Sequence, residues 1–318
     1  MNPVAETELL GDRTIDDMDY DSESFYQGLV EHGLILPSGQ KGVFGRGPAF
    51  EKVLSAVDAM IVEESRADGL EFMAFPPVID RDILRKVHYM DSFPHLCGSI
   101  HSFFGNALQA LALAERAKAG EPWGELLGDT GVVLNPAACY PVYPTMKGRL
   151  PAAGKRVSML GWVYRHEPSD EPTRMQSFRV REYVCAGTAD QVVEWRNLWL
   201  RRGLSILEAL QLPARSDVAS DPFFGRGGVI LAKNQKEQRL KFEILIPVIS
   251  REKPTACCSF NFHQDHFSSV FDIETSDGER ASTACVGFGL ERTTMALFKQ
   301  HGLVIGDWPA DVRAKLQL

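Results

Sequence analysis

The chain has 318 residues, 44% of them apolar and 24% charged, an ordinary globular composition with room for one large or two ordinary domains. Lysine and arginine number 34 against 42 acids, a net charge of −8, which excludes a broad basic surface for tracking a phosphate backbone and leaves only a local basic patch open. No apolar run reaches the ~18 residues of a membrane span, and the acidic N-terminus lacks a basic segment followed by an apolar core, so a cytoplasmic location is expected.

Residues 1–24 hold eight acids and one base and read as a mobile or loosely docked arm, with residues 1–45 as an acidic N-terminal segment ahead of a 46–318 catalytic domain. Between Phe50 and Asp68 the apolar positions Phe50, Val53, Leu54, Val57, Met60, Ile61 and Val62 fall on one helical face. EFMAFPPVID reads as a strand closed by Pro76-Pro77, and residues 103–119 as a second apolar-periodic helix. LGWVYRHEPS and SFRVREYVC read as an antiparallel hairpin joined by the polar loop SDEPTRMQ. Residues 190–211 form a long amphipathic helix; LKFEILIPV, TACCSFNFHQ and ASTACVGFGL are strands; ERTTMALFKQHG starts the last core helix. There is no internal repeat, and the count favours an α+β domain on an antiparallel sheet.

Residues 286–294, VGFGLERTT, resemble a dinucleotide-binding loop only superficially. That loop needs a third glycine where Arg292 stands, and a βαβ unit takes about 30 residues or more, too many for the rest of the chain. The two glycines instead mark a strand end that backbone or ligand approaches closely, with Arg292 opening a helix that faces the same place. An arginine there can clamp a polyphosphate or stack on a base, or it can serve a structural ion pair. In YRHEPS, Arg165 and Glu167 are two apart, so on a strand they share a face while His166 faces away. Phe178 on the return strand offers a flat surface for a purine. The six cysteines, Cys97, Cys139, Cys185, Cys257, Cys258 and Cys285, include no C-x-x-C pair and read as thiols, each a small core residue by default. His263 and His266 lie three apart without a third ligand.

Together these features resemble the class II aminoacyl-tRNA synthetase signature. FMAFPPVID is similar to its first motif, YRHEPS with SFRVRE to its second and GFGLER to its third. LNPAACYPVYP, RMQSFRVREYVC, SDPFFGR, LKFEIL and TACCSFNFH resemble one branch more closely, the amino acid:[carrier protein] ligases, relatives of the archaeal-type seryl-tRNA synthetases that lack the tRNA-binding domain. The resemblance runs from about residue 45 to the C-terminus. It implies a six- or seven-stranded antiparallel sheet flanked by helices, and a homodimer formed through the segment around 50–80.

The resemblance also implies the site. Arg165 would hold the α-phosphate and the amino-acid carboxylate, Glu167 the adenine amine, and Phe178 and Arg292 the two faces of adenine. Arg174 and Met175 would lie in the loop over ATP, and Glu243 would hold Mg²⁺ on the phosphates. Cys139, Glu182 and Cys285 would ligate Zn²⁺; spacing alone does not suggest it. Ala138, Glu182, Asp221 and Asn261 would contact the amino acid. Two thiolates and a carboxylate leave one tetrahedral position open for an α-amine. The expected activity is ATP-dependent activation of glycine or alanine as an adenylate, then transfer to the phosphopantetheine thiol of a carrier protein, with no tRNA and no membrane. A tRNA synthetase paralogue and an amino-acid-binding regulatory module without transfer remain as alternatives. The 190–212 helix, with Arg196, Arg201 and Arg202 outward or at the edge of its apolar stripe, is the expected carrier-docking face, and residues 81–101 the next candidate.

Overall fold

The computed structural model describes residues 22–318. Helix α1 (Ser22–Glu31) leads into a hairpin, β1 (Ile35–Gln40) and β2 (Val43–Arg46), and then α2 (Pro48–Glu64). Next come β3 (Glu71–Phe72), β4 (Val78–Asp80), α3 (Arg81–Lys86), α4 (Tyr89–Ser92), β5 (Ser99–Ser102), α5 (Ala107–Ala119), β6 (Gly128–Leu134) and β7 (Gly148–Arg149). The hairpin β8 (Lys155–Tyr164) and β9 (Ser177–Gly187) precedes α6 (Ala189–Ala209), β10 (Arg215–Val218), α7 (Gly225–Glu237), β11 (Lys241–Ile246) and β12 (Thr255–Gln264). The chain closes with α8 (His266–Phe271), β13 (Ile273–Glu274), β14 (Ser282–Gly289), α9 (Leu290–His301) and α10 (Ala310–Leu316).

Seven strands form the main sheet, in the order β10-β11-β12-β14-β9-β8-β3. All its pairs are antiparallel except β3 with β8. EFMAFPPVID does not make one strand. Prolines lack the N–H a ladder needs, and Pro76-Pro77 splits the segment between β3 on the main sheet and β4 on a separate sheet with β6 and β5. Arg165 and Glu167 also lie off the strand, because β8 stops at Tyr164.

Strand alternation sorts the side chains of the main sheet onto two faces. On one face, Tyr183, Ile244, Phe260, Val286 and Phe288 pack with α2, α6 and α9 into one apolar cluster. On the other, Val157, Met159, Val184 and Cys285 pack with Tyr143 and Phe267 into a second. Phe25, Leu29, Leu34 and Ile35 belong to the first cluster, so from Ser22 onward the segment expected as an arm is part of the core; residues 1–21 lie outside the described residues.

Helix α6 is rotated from its expected orientation. Its buried positions are Val192, Trp195, Arg196, Trp199, Gly203, Ile206 and Leu207, while Leu198, Leu200 and Leu204 are half-buried. Gly203 lets the helix sit on the sheet, since a Cβ there would come within 2.9 Å of Phe260. Arg196 therefore points inward, its guanidinium 4.8 Å from the Phe242 ring centroid and donating to the Arg239 carbonyl at 3.0 Å. Burial and the Arg239 charge push its pKa down to about 10. Arg202 pairs with Asp68 at 2.6 Å, which leaves Arg201 as the one exposed arginine of the three. The expected basic docking face on α6 is not there.

The last strand, β14, meets α9 over a buried ion cluster. Glu291, fully buried in the first turn of α9, accepts from the Arg179 N–H at 2.8 Å and from its Nε at 3.0 Å. Arg179 also forks onto both Glu51 oxygens at 2.6 and 2.7 Å, and Arg46 lies 3.4 Å from Glu291. Glu291→Ala should take the buried carboxylate away from two mostly buried guanidinium groups, one of which keeps Glu51, and cost about 3–5 kcal/mol in urea unfolding. Glu51→Ala, whose carboxylate is partly open to water, should cost about 1 kcal/mol or less. Equal losses for the two variants would contradict this division.

Candidate active site

The sheet face opposite α6 is the floor of a cavity of about 410 Å³. Two cross-strand rows build it. One runs Glu243, Ser259, Gly287, Glu182, and the next runs Lys241, Asn261, Cys285. Gly287 leaves the middle of the first row bare; a Cβ there would press on Val180 at 3.2 Å and Ser259 at 3.3 Å. At Gly289 a Cβ would meet the Cys257 carbonyl at 3.1 Å. The Gly-x-Gly pair thus keeps the cavity floor open at the strand end. Along β9 the same alternation sends Phe178, Val180 and Glu182 into the cavity, while Arg179 and Arg181 turn to Glu51 and Asp58 on α2.

Cys139 arrives from the loop after β6. The Asn135 carbonyl accepts from the Tyr164 N–H at 2.9 Å, tying this loop to the end of β8. Gly161 lets the loop come close, because a Cβ there would lie 2.6 Å from the Ala138 Cβ. Cys139, Glu182 and Cys285 then converge, their ligand atoms within 4.8 Å of one another, all three buried. The Cys139 thiol is held well above its ordinary value by its hydrogen bond with Cys285, by burial and by the Glu182 charge. Burial also raises Glu182. Two thiols and a carboxylate, each raised above its ordinary pKa in a buried place, are a donor set whose ionisation a divalent cation would favour. The Cys285 Sγ also faces Asn261 Nδ2 at 3.3 Å and His263 Nε2 at 3.5 Å. Behind the cluster, Tyr143 stacks on Phe267 at 3.9 Å between ring centroids.

At the other end of the cavity stand Arg165, Met175, Phe178 and Arg292. The Arg165 guanidinium lies 5.7 Å from the Phe178 ring centroid, and its Nε donates to the Pro136 carbonyl at 3.2 Å. Arg292 donates from Nε to the Thr173 carbonyl and from Nη1 to the Ala256 carbonyl, both at 2.9 Å, which joins the 165–176 loop to β12. Burial lowers its pKa. Ala138, Asp221, Glu243 and Asn261 line the same cavity. Glu167 and Arg174 do not; they face each other at 3.9 Å, with Glu171 3.4 Å from Arg174.

Sequence reasoning missed Lys241. Its Nζ bridges Asp221 at 2.6 Å and Glu243 at 3.1 Å inside the cavity wall. Burial works to lower its pKa, but the two carboxylates outweigh that and raise it. Burial likewise works to raise Asp221, and Lys241 with Gln235 brings it below the usual carboxylate range. Strand alternation carries the signal, since Lys241 stands two before Glu243 and shares its face. His263, two after Asn261 on β12, could have been found the same way.

Comparison with known proteins bears on this site. No family model matches the chain. Amino acid–[acyl-carrier-protein] ligase 1 of Bradyrhizobium diazoefficiens is 44% identical over 282 residues, which covers 88% of this chain and 86% of that protein. The chain belongs to the amino acid–[acyl-carrier-protein] ligase family. Ligase 2 of the same organism is 43% identical, over 88% of this chain and 84% of its own length. The type-2 serine–tRNA ligase of Methanocaldococcus jannaschii is 27% identical over 86% of this chain, but the chain spans only 56% of that protein. Among solved structures, the M. kandleri seryl-tRNA synthetase in complex with A. aeolicus tRNASec superposes with a TM-score of 0.79 at 21% identity, over 92% of this chain and 60% of its own. That likeness establishes the fold, a class II synthetase core. Among the described residues no helix is long and apolar enough to cross a membrane.

Proposed function

We propose that the chain activates glycine or alanine with ATP and transfers it to the phosphopantetheine thiol of a carrier protein. The observation that carries this reading is a single cavity with an arginine-and-phenylalanine end and a two-thiol, one-carboxylate end. In the first step an amino-acid carboxylate oxygen attacks the α-phosphorus and the bond to pyrophosphate breaks. Arg165 offsets the charge that develops there, and Arg292 and Phe178 hold the base. No protein nucleophile is needed; the chain supplies position and charge. In the second step the carrier's thiol sulfur attacks the adenylate carbonyl and AMP leaves.

Cys139, Glu182 and Cys285 would hold zinc, which when bound supplies an open position for a neutral α-amine. Glu243 would hold magnesium on the phosphates, with Lys241 beside it as a fixed positive charge. Asn261 and Asp221 border the amine. The Tyr143–Phe267 stack stands directly behind the ligand cluster and favours an amino acid with little or no side chain.

For the carrier protein, α7 replaces α6 as the docking helix. Val229 and Ile230 on α7 are 72% and 73% exposed, a costly display for two β-branched residues without a partner. The same helix reaches the cavity through Gln235, which exchanges two hydrogen bonds with Asp221 at 2.7 and 2.8 Å. A second copy of the chain would cover α5, a well-capped helix in which no residue is buried and Leu108 and Leu111 are 77% and 64% exposed. Within the expected 50–80 segment, Phe50, Val53, Leu54, Val57 and Ile61 pack in the chain's own core, so a partner meeting that segment would have to touch its other residues.

Two outcomes test this reading. The purified protein should carry one zinc per chain by elemental analysis, and a Cys139→Ser, Cys285→Ser double variant should lose it together with amino-acid activation; full zinc content in that variant would remove the ligand assignment. Replacing Val229 and Ile230 with Asp should slow aminoacyl transfer to the carrier while leaving pyrophosphate exchange intact. Unchanged transfer at subsaturating carrier would move the docking surface off α7.

A further inference from the structure

The tip of the β1–β2 hairpin reaches the arginine end of the cavity through one residue. The Gln176 N–H donates to the Gly42 carbonyl at 2.8 Å, and its Nε2 donates to the Lys41 carbonyl at 2.8 Å. The Gln176 carbonyl accepts from the Arg165 N–H at 2.9 Å, and its Oε1 accepts from the Tyr164 hydroxyl at 3.1 Å. Gln176 is buried, so leaving its polar groups without partners would be costly. A continuous hydrogen-bonded path therefore runs from the hairpin tip, through Gln176, to the backbone of Arg165.

The fit at the tip is close. Gly42 has a φ of +68°, and a Cβ on it would lie 2.9 Å from the Arg174 carbonyl oxygen and 3.3 Å from the Gln176 Cγ. Both the backbone conformation and the space call for glycine there. Two more contacts bracket the loop. Lys41 Nζ meets Asp170 at 2.6 Å, an exposed pair of small worth, and Arg46 Nη2 donates to the Ser177 carbonyl at 2.8 Å. The 165–176 loop, polar and outside the sheet, thus takes its outer edge from residues 41–46.

We propose that the β1–β2 hairpin is a positioning element for nucleotide binding: it holds the 165–176 loop, and Arg165 with it, over the ATP end of the cavity. This rests on the assignment of that end to ATP. Gly42 and Gln176 are positioning residues; neither touches the reacting atoms. The loop's other ties are Arg292 at the Thr173 carbonyl and the buried Met175, so the hairpin secures the Gln176 position that pairs with Arg165, where a small misplacement of a charge-bearing arginine is expensive.

Gly42→Val and Gln176→Leu test the proposal, with ATP binding measured by calorimetry in the absence of amino acid and with KM values from pyrophosphate exchange. Both variants should weaken ATP binding and raise KM for ATP on the order of tenfold or more. Zinc content should stay at the parent's value while ATP binding falls, a split that general destabilisation does not produce. Folded variants that bind ATP as tightly as the parent, or that lose zinc along with ATP binding, would overturn it. If Gly42→Val does not fold, Gln176→Leu decides alone. A parent protein that does not bind ATP would instead remove the nucleotide assignment beneath, and this inference with it.

Discussion

The buried contact between Arg179 and Glu291 sets the register on which the site depends. Arg179 lies on β9, the return strand of the β8–β9 hairpin, and Glu291 opens α9 directly after β14. A carboxylate with no exposure is costly to bury unless guanidinium groups meet it, and Arg179 with Arg46 does so. Fixing Arg179 toward α2 and α9 fixes its neighbours the other way. Phe178, Val180 and Glu182 then face the cavity, because successive side chains on a strand alternate. A slip of one residue would carry Glu182 away from Cys139 and Cys285 and put arginines in its place. The Glu-Arg pair of GFGLER divides its labour accordingly: Glu291 anchors the sheet from behind, and Arg292, one position on, turns to the cavity.

From that anchor the two ends of the cavity are built by different means. The ligand cluster is made mostly by the sheet: Cys285 on β14, Glu182 on β9, with only Cys139 brought in by a loop. Regular structure holds such groups to a tight tolerance, as a tetrahedral donor set needs. The arginine end is made largely by loop backbone, from Arg165 past the end of β8 to the hairpin tip that backs Gln176. Loops supply reach and adjustability but need bracing.

What the chain's order of residues makes legible follows from this division. Motifs carried on strands are readable because alternation is strict: the hairpin and the Gly-x-Gly strand end both lie on regular elements. The convergence of Cys139 with Cys285 came only from a family resemblance, since no spacing rule joins residues on separate elements. The α6 orientation is not legible in the sequence because charge reads as an outward signal, whereas Arg196 lies over Phe242 and donates a hydrogen bond to the Arg239 carbonyl. Such a packing is a tertiary choice that helical periodicity does not encode. The hairpin's place beside the site was hidden for a similar reason: Gly42 and Gln176 are ordinary residues until their bonds are seen.

The central claim is that one cavity joins ATP to a small amino acid, and ATP–pyrophosphate exchange tests it most directly. Each proteinogenic amino acid would be supplied singly to the purified protein, with neither tRNA nor carrier protein present. The account predicts exchange with glycine or alanine and none with large side chains. Exchange with no amino acid, or exchange only with a bulky one, would contradict it.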